Sequence, residues 1–321
     1  MKKLLFAIAI IWASNTIAQQ SWQLTQYTSN MYLVNPATAG ERKMLDMNFS
    51  YRQQWLGSQY APKTYYISGT SRILEPKTLR STTVPTSADY GEKVEKGKLV
   101  HSVGGLLLRD DFGAFSYTSI GASYNIHVPI NRSWKLSAAL KGTMKNWVFD
   151  PTKTQTGTAN DPTLAQFTAN SQAFNDWIPS LDLGLYAYSR YLFVSYATDQ
   201  LTQGQLKFEG TTVNPALQMT HYAMVGGRIA LSQSTHLVPS TLIKYTASSP
   251  ISMDFNLKLD VQDRYFASAG YRYNSDIILV GGLFLNDMMK IGYSFDYPIN
   301  STKTLGFGSH EFFLGLELFK H

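Results

Sequence analysis

Six histidines could exchange protons near neutral pH: His101, His127, His221, His236, His310 and His321. They are dispersed along the chain. His310 has a carboxylate neighbour, Glu311, but adjacent residues of an extended chain point to opposite faces. They cannot form a joint acid–base pair there. Cysteine is absent, so there is neither thiolate chemistry nor a disulfide framework. No nucleophile elbow, phosphate loop or zinc-ligand spacing occurs. Gly104-Gly105, Gly226-Gly227 and Gly281-Gly282 lie within alternating segments, where glycine eases curvature or close packing. No catalytic, cofactor-binding or metal-ligating residue is therefore expected, and no enzyme.

The remaining chemistry is charge at alternate positions. Arg52, Lys135, Lys141, Asp182, Asp254, Lys258, Asp260, Arg272, Lys290 and Asp296 sit among apolar neighbours, as do Glu311 and Glu317. Both signs are present. A selective pore more often carries rings of one sign. The mixture suits internal salt bridges, and a plugged or closed lumen is expected.

These charges imply strands. In Ile251 to Val261, the residues Ile251, Met253, Phe255, Leu257, Leu259 and Val261 fall on one face. Ser252, Asp254, Asn256, Lys258 and Asp260 fall on the other. Only a period of two sorts residues this way. The pattern recurs from Leu45 to Arg52, Ile120 to Val128, Trp134 to Lys141 and Met289 to Asp296. In the last segment Phe312, Leu314, Leu316 and Leu318 oppose Glu311, Gly315 and Glu317, with Phe313 as an exception. Turn residues such as Asp110-Asp111-Phe112-Gly113 and Asn274-Ser275-Asp276 separate neighbouring runs. Fourteen strands are expected, starting near residues 45, 62, 100, 115, 133, 179, 190, 219, 236, 250, 264, 277, 288 and 309.

A soluble β-sandwich would also alternate. Three features favour an all-β, transmembrane antiparallel barrel over residues 45–321. The alternation runs to the end of the chain, Tyr and Phe gather near strand ends, and an export address precedes it. That address is Met1-Lys2-Lys3, an apolar run from Leu4 to Trp12, and Thr16-Ile17-Ala18 before Gln19. It has the three-part plan of a signal peptide over residues 1–18. Residues 19–44 would then be an N-terminal periplasmic segment, with Asn35-Pro36 as a simple lead-in turn. A plug inside the barrel is the second reading of that dipeptide.

Composition agrees. Of 321 residues, 13% are aromatic and only 16% charged, so uncharged polar residues supply the wet face. No later segment has the roughly 20 apolar residues of a membrane-spanning helix, and only a closed barrel could then cross a bilayer. The +6 charge is scattered without a long Lys/Arg run, which disfavours nucleic acid as a partner. An even strand number puts both termini in the periplasm. The long connections 149–178 and 199–218 then face outward. The long connection 75–98 falls on the periplasmic side, as a solvated insertion or a docking loop.

Several segments resemble one family. They are Gln26-Tyr27, Asn35-Pro36-Ala37-Thr38-Ala39-Gly40, Tyr51-Arg52-Gln53-Gln54-Trp55 and Ala61-Pro62-Lys63-Thr64. Later come Pro239-Ser240, Ile243-Lys244-Tyr245, Asp263-Arg264-Tyr265 and Gly270-Tyr271-Arg272. The series ends with Ile291 to Tyr297 and Gly308-Ser309-His310-Glu311. In order and spacing these are similar to the PorP/SprF family of the type IX secretion and gliding machinery of Bacteroidetes. Thr38 departs from it where an aromatic is expected, as does the ending Phe319-Lys320-His321. The resemblance implies a non-enzymatic outer-membrane component. Its implied partners are periplasmic ring components and a secreted protein whose C-terminal sorting domain is recognised at the surface, besides outer-membrane lipid. A porin or transporter, and a barrel lipid hydrolase, are the alternatives.

Overall fold

A computed structural model describes residues 25–42, 44–58, 61–73, 99–131, 133–150, 153, 174–205, 216–247, 249–262 and 264–318. The expected signal peptide and the 75–98 connection lie outside the described residues, apart from the flanking Leu99.

Fourteen antiparallel strands form one closed sheet. They are β1 (Leu45–Gln53), β2 (Lys63–Arg72), β3 (Val100–Phe112), β4 (Phe115–Pro129), β5 (Lys135–Phe149), β6 (Phe174–Tyr188) and β7 (Leu192–Asp199). The second half comprises β8 (Thr220–Gly227), β9 (Thr235–Thr246), β10 (Ser252–Val261), β11 (Tyr265–Arg272), β12 (Asp276–Phe284), β13 (Met289–Pro298) and β14 (Ser309–Leu318). Beyond Arg228, β8 resumes for two residues, Ile229–Ala230, which pair with Leu237 and His236 of β9. Each strand pairs with its chain neighbours, and β14 returns to β1 from Leu45↔Leu318 to Gln53↔His310. Closure leaves no edge of unpaired amides, which is the condition for a sheet to face lipid.

The period-two pattern becomes the wall. On β4, Ile120 is 49% exposed while the adjacent Ser119 is 5% exposed. Leu136 and Leu140 likewise face outward on β5, with Ser137 and Lys141 inside. An apolar exterior around a polar interior is stable only where the outer solvent is hydrocarbon. Strands β3 to β6 run 13 to 15 residues, against the roughly 9–11 needed to cross a bilayer. They project beyond the membrane.

Two local patterns differ from expectation. β6 begins at Phe174, not near 179, because its first inward residues do not alternate in polarity. Ile178 is buried inside against Leu217 and Trp147. Phe313 breaks the polar face of β14 because it fills the lumen with Phe266, Ile278 and Val280.

The ends of the barrel differ. Residues 130–134, 189–191, 231–234, 262–264 and 285–288 connect strands at one end, where β1 also starts and β14 finishes. Residues 54–62, 150–173, 200–219 and 299–308 connect them at the other, together with the short turns 113–114, 247–251 and 273–275, while the long connection 73–99 belongs to the first end. These are the short-turn and long-loop ends.

Candidate functional site: the occupied lumen

Residues 25–42 pass down the inside of the barrel. Residues 25–40 contain no charged side chain, and three 3-10 turns fold them tightly: Gln26–Thr28, Met31–Leu33 and Pro36–Thr38. An uncharged backbone can be buried only if its polar groups find partners, and the wall supplies them.

The path starts at the long-loop end. The Thr25 amide donates to Glu311 (3.1 Å) and its hydroxyl to Asp296 (2.6 Å), while Arg52 donates to that hydroxyl (2.9 Å). Asn256 on β10 donates to the Tyr27 hydroxyl. Midway, Asn30 donates to Ser68 (2.8 Å), and the Tyr32 hydroxyl lies 3.0 Å from that of Ser123. Lower, Asn125 donates to the Pro36 carbonyl, and His127 Nε2 lies 2.8 Å from the Ala39 carbonyl. At the short-turn end Arg72 donates to the carbonyls of Gly40 (2.7 Å) and Glu41 (2.8 Å). Arg42 there bridges Asp46 and Glu317, each at 3.1 Å.

Asn35 is the central anchor. Its Oδ1 accepts from the Ala37 amide (2.8 Å), capping the turn that Pro36 opens. Its Nδ2 donates to Ser195 (2.7 Å), to the Leu185 carbonyl (2.9 Å) and, at 3.3 Å, to the Tyr196 carbonyl. The expected lead-in turn is present, but the residue that makes it is fully buried against β6 and β7. Residues 25–42, expected to be periplasmic with the rest of 19–44, are thus a lumenal plug. The lack of charge over residues 25–40 was the available signal, because a solvated linker has no reason to avoid it.

The wall is shaped to receive the plug. A Cβ at Gly104 would lie 2.5 Å from the Tyr32 ring, and one at Gly184 would lie 2.2 Å from Asn35 Oδ1. Only glycine permits either approach.

The charged lumenal residues found by alternation are brought together as ion pairs. Arg52 meets Asp296 at 2.8 Å and Glu311 at 3.5 Å. Arg272 meets Asp254 at 3.0 Å, Lys141 meets Asp182 at 2.9 Å, and Lys258 meets Asp260 at 2.9 Å. Lys290 meets Glu317 at 3.3 Å. Lys135 lies over the Tyr188 ring. Burial pushes the plug's Tyr27 and Tyr32 hydroxyls above their ordinary range, so both stay neutral hydrogen-bonding groups. Burial also pushes the Glu41 carboxyl up, opposed by Arg228 and Arg42.

The described histidines do not converge. His310 faces outward, 2.6 Å from the Tyr293 hydroxyl, while Glu311 faces the lumen. His101 and His221 make similar outer-wall contacts with Tyr124 (2.7 Å) and Tyr196 (2.9 Å). Among the described residues, no group of three or more His, Asp or Glu side chains could hold a metal ion.

Residues 16–316 match the profile of a family described as type IX secretion system membrane protein PorP/SprF. No curated protein matches the chain. Among solved structures, the CymD monoaromatic hydrocarbon channel is similar with a TM-score of 0.52 at 10% identity, covering 94% of each chain. The Acinetobacter baumannii outer membrane protein Omp33 has a TM-score of 0.46 at 8% identity, covering 87% of this chain and 99% of its own. The closed lipid-facing wall and the family match place the protein in the outer membrane.

Proposed function

Because the chain belongs to the PorP/SprF family of type IX secretion system membrane proteins, we propose that it is a non-enzymatic docking component of that system. The long-loop end faces the exterior and holds a secreted protein by its C-terminal sorting domain. The short-turn end faces the periplasm and contacts the ring components of the machinery. Long loops outside and short turns inside are the usual arrangement of outer-membrane barrels.

The observation that carries this reading is the plug. A channel needs a continuous water path, whereas here residues 25–42 run between the two ends and are bonded to the wall along their length. A barrel that conducts nothing can still present two faces joined by a rigid wall. Four of the histidines, His101, His127, His221 and His310, are engaged with Tyr hydroxyls or backbone.

The test is purification of the protein in mild detergent from its own cells, with identification of what accompanies it. A secreted protein bearing a sorting domain and periplasmic ring components should co-purify. In cells lacking the barrel, that secreted protein should be lost from the surface. Isolation of the barrel without either class of partner, with surface retention unchanged in its absence, would reject the proposal.

A further inference from the structure

We infer that the amino-terminal end of the chain leaves the barrel through the long-loop mouth, opposite the end at which β14 finishes. The two ends of the chain then lie on opposite sides of the membrane. Without a lumenal segment, an even number of strands would put both on one side. Which side is the exterior rests on the docking reading above. That the amino-terminal end shares the side of the long loops does not.

The seam between β1 and β14 serves as a ruler. At its short-turn end Asp46 pairs in register with Glu317, and both hold Arg42 of the plug. Near its long-loop end Arg52 pairs in register with Glu311, and both hold Thr25. Six strand positions separate these two rungs, roughly 20 Å at about 3.4 Å per residue. A second strand gives the same order. His127, Asn125 and Ser123 stand successively farther from the short-turn end of β4, and they meet Ala39, Pro36 and Tyr32 in turn. Traced backwards from β1, the chain therefore climbs from Arg42 to Thr25 without reversing.

Charge favours continuing outward from there. With residues 1–18 removed as the expected signal peptide, the chain starts at Gln19 with a charged α-amino group. Residues 19–24 contain no other charge. Folding this end back into the lumen would bury that ammonium at a high cost unless it were paired. Leading outward, six residues reach at most about 20 Å, which carries the group from Thr25 into water. The face proposed to hold the secreted partner then includes a chain end that continues through the lumen to the opposite face.

The experiment uses the full-length protein in its own outer membrane. The native chain has no cysteine, so a single introduced thiol reports its own position. Ser21→Cys probes the amino-terminal end. Ser301→Cys marks the long-loop end and Gln233→Cys the short-turn end, both at exposed positions. Each variant should keep the heat-modifiable mobility of the folded barrel. Intact cells are treated with a polyethylene-glycol maleimide too large to cross the outer membrane, and labelling is read as a shift in gel mobility. Ser21→Cys should label to the same extent as Ser301→Cys, while Gln233→Cys should label only after the membrane is permeabilised. Labelling of Ser21→Cys together with Gln233→Cys overturns the inference. So does a Ser21→Cys thiol that reacts only after denaturation, which would place this end inside the lumen. If Ser301→Cys and Gln233→Cys exchange sides, the orientation assigned for docking fails, and the inference stands where Ser21→Cys still labels with Ser301→Cys.

Discussion

The side-chain amide of Asn35 donates to the hydroxyl of Ser195 across 2.7 Å, joining residues 160 positions apart in the chain. Asn35 belongs to the plug and Ser195 to β7. The same Asn35 side chain also caps the turn at Ala37 and reaches the Leu185 carbonyl on β6. One buried amide thus fixes the local fold of the plug and its place on the wall.

Replacing Asn35 with Ala should remove the cap and leave buried acceptors without a donor. The expected loss is roughly 2–4 kcal/mol, from a cap worth about 1 and unsatisfied groups costing about 1–3. Asn35→Asp should be worse, because a carboxylate would face the Leu185 and Tyr196 carbonyls with no proton to offer. Thermal unfolding in detergent and limited proteolysis near residues 25–42 would measure both. A variant order with Asp milder than Ala would contradict the assigned donor role.

Gly104 should tolerate no side chain while Tyr32 is present. An added Cβ would sit 2.5 Å from a ring that is 3% exposed and has little room to retreat. Overpacking of this kind costs about 1–3 kcal/mol. Gly104→Ala should therefore loosen the plug and leave the wall intact, and Tyr32→Ala in the same chain should relieve the clash. Heat-modifiable mobility reports the wall, and protease accessibility reports the plug.

The wall was legible in the sequence because each strand states its own two faces. Ile251 to Val261 needs no distant partner to be read, and β10 occupies Ser252–Val261. A plugged or closed lumen was expected from the mixed charges, but the contacts that seat residues 25–42 were not legible, because their partners are remote. Nothing near Asn35 points to Ser195 or Leu185, and a local Asn-Pro pattern reads equally well as a turn. Phe313 failed for a related reason. Polarity alternation separates lipid from lumen but does not mark an apolar side chain that fills space inside. A Cβ at Gly292 would lie 2.1 Å from the Phe313 ring, and that relationship crosses strands. The start of β6 was missed where lumenal Ile178 removes the contrast between faces. The charged lumenal set was found by position, but which cation meets which carboxylate depends on register, set by pairings such as Lys141↔Asp182.

Arg52 should be essential to the upper lumen through its carboxylates. It lies between Asp296 at 2.8 Å and Glu311 at 3.5 Å, and both acids are almost wholly buried. Arg52→Met would strand negative charge in a low-dielectric interior, at a cost of about 3–5 kcal/mol. Adding Glu311→Gln should recover part of that loss, because one stranded charge disappears. A double-mutant cycle on unfolding free energy should therefore show strong non-additivity. Additive losses would mean that the ion pair is not the source of the effect.

Closure of the lumen should depend on the plug and not on the wall alone. Barrels of 16–18 strands enclose an aqueous channel, and eight-stranded ones are filled by their own side chains. Fourteen strands fall between, so a large interior must be occupied by something. Here that is residues 25–42, tied to the wall at both ends by Thr25 and Arg42. The native protein should be electrically silent in planar bilayers. Deletion of residues 25–40 should yield steady conductance, while Asn35→Ala should yield intermittent openings as the plug detaches and returns. Large steady pores from the native chain would show that the plug does not seal the barrel. They would remove the main support for docking over conduction.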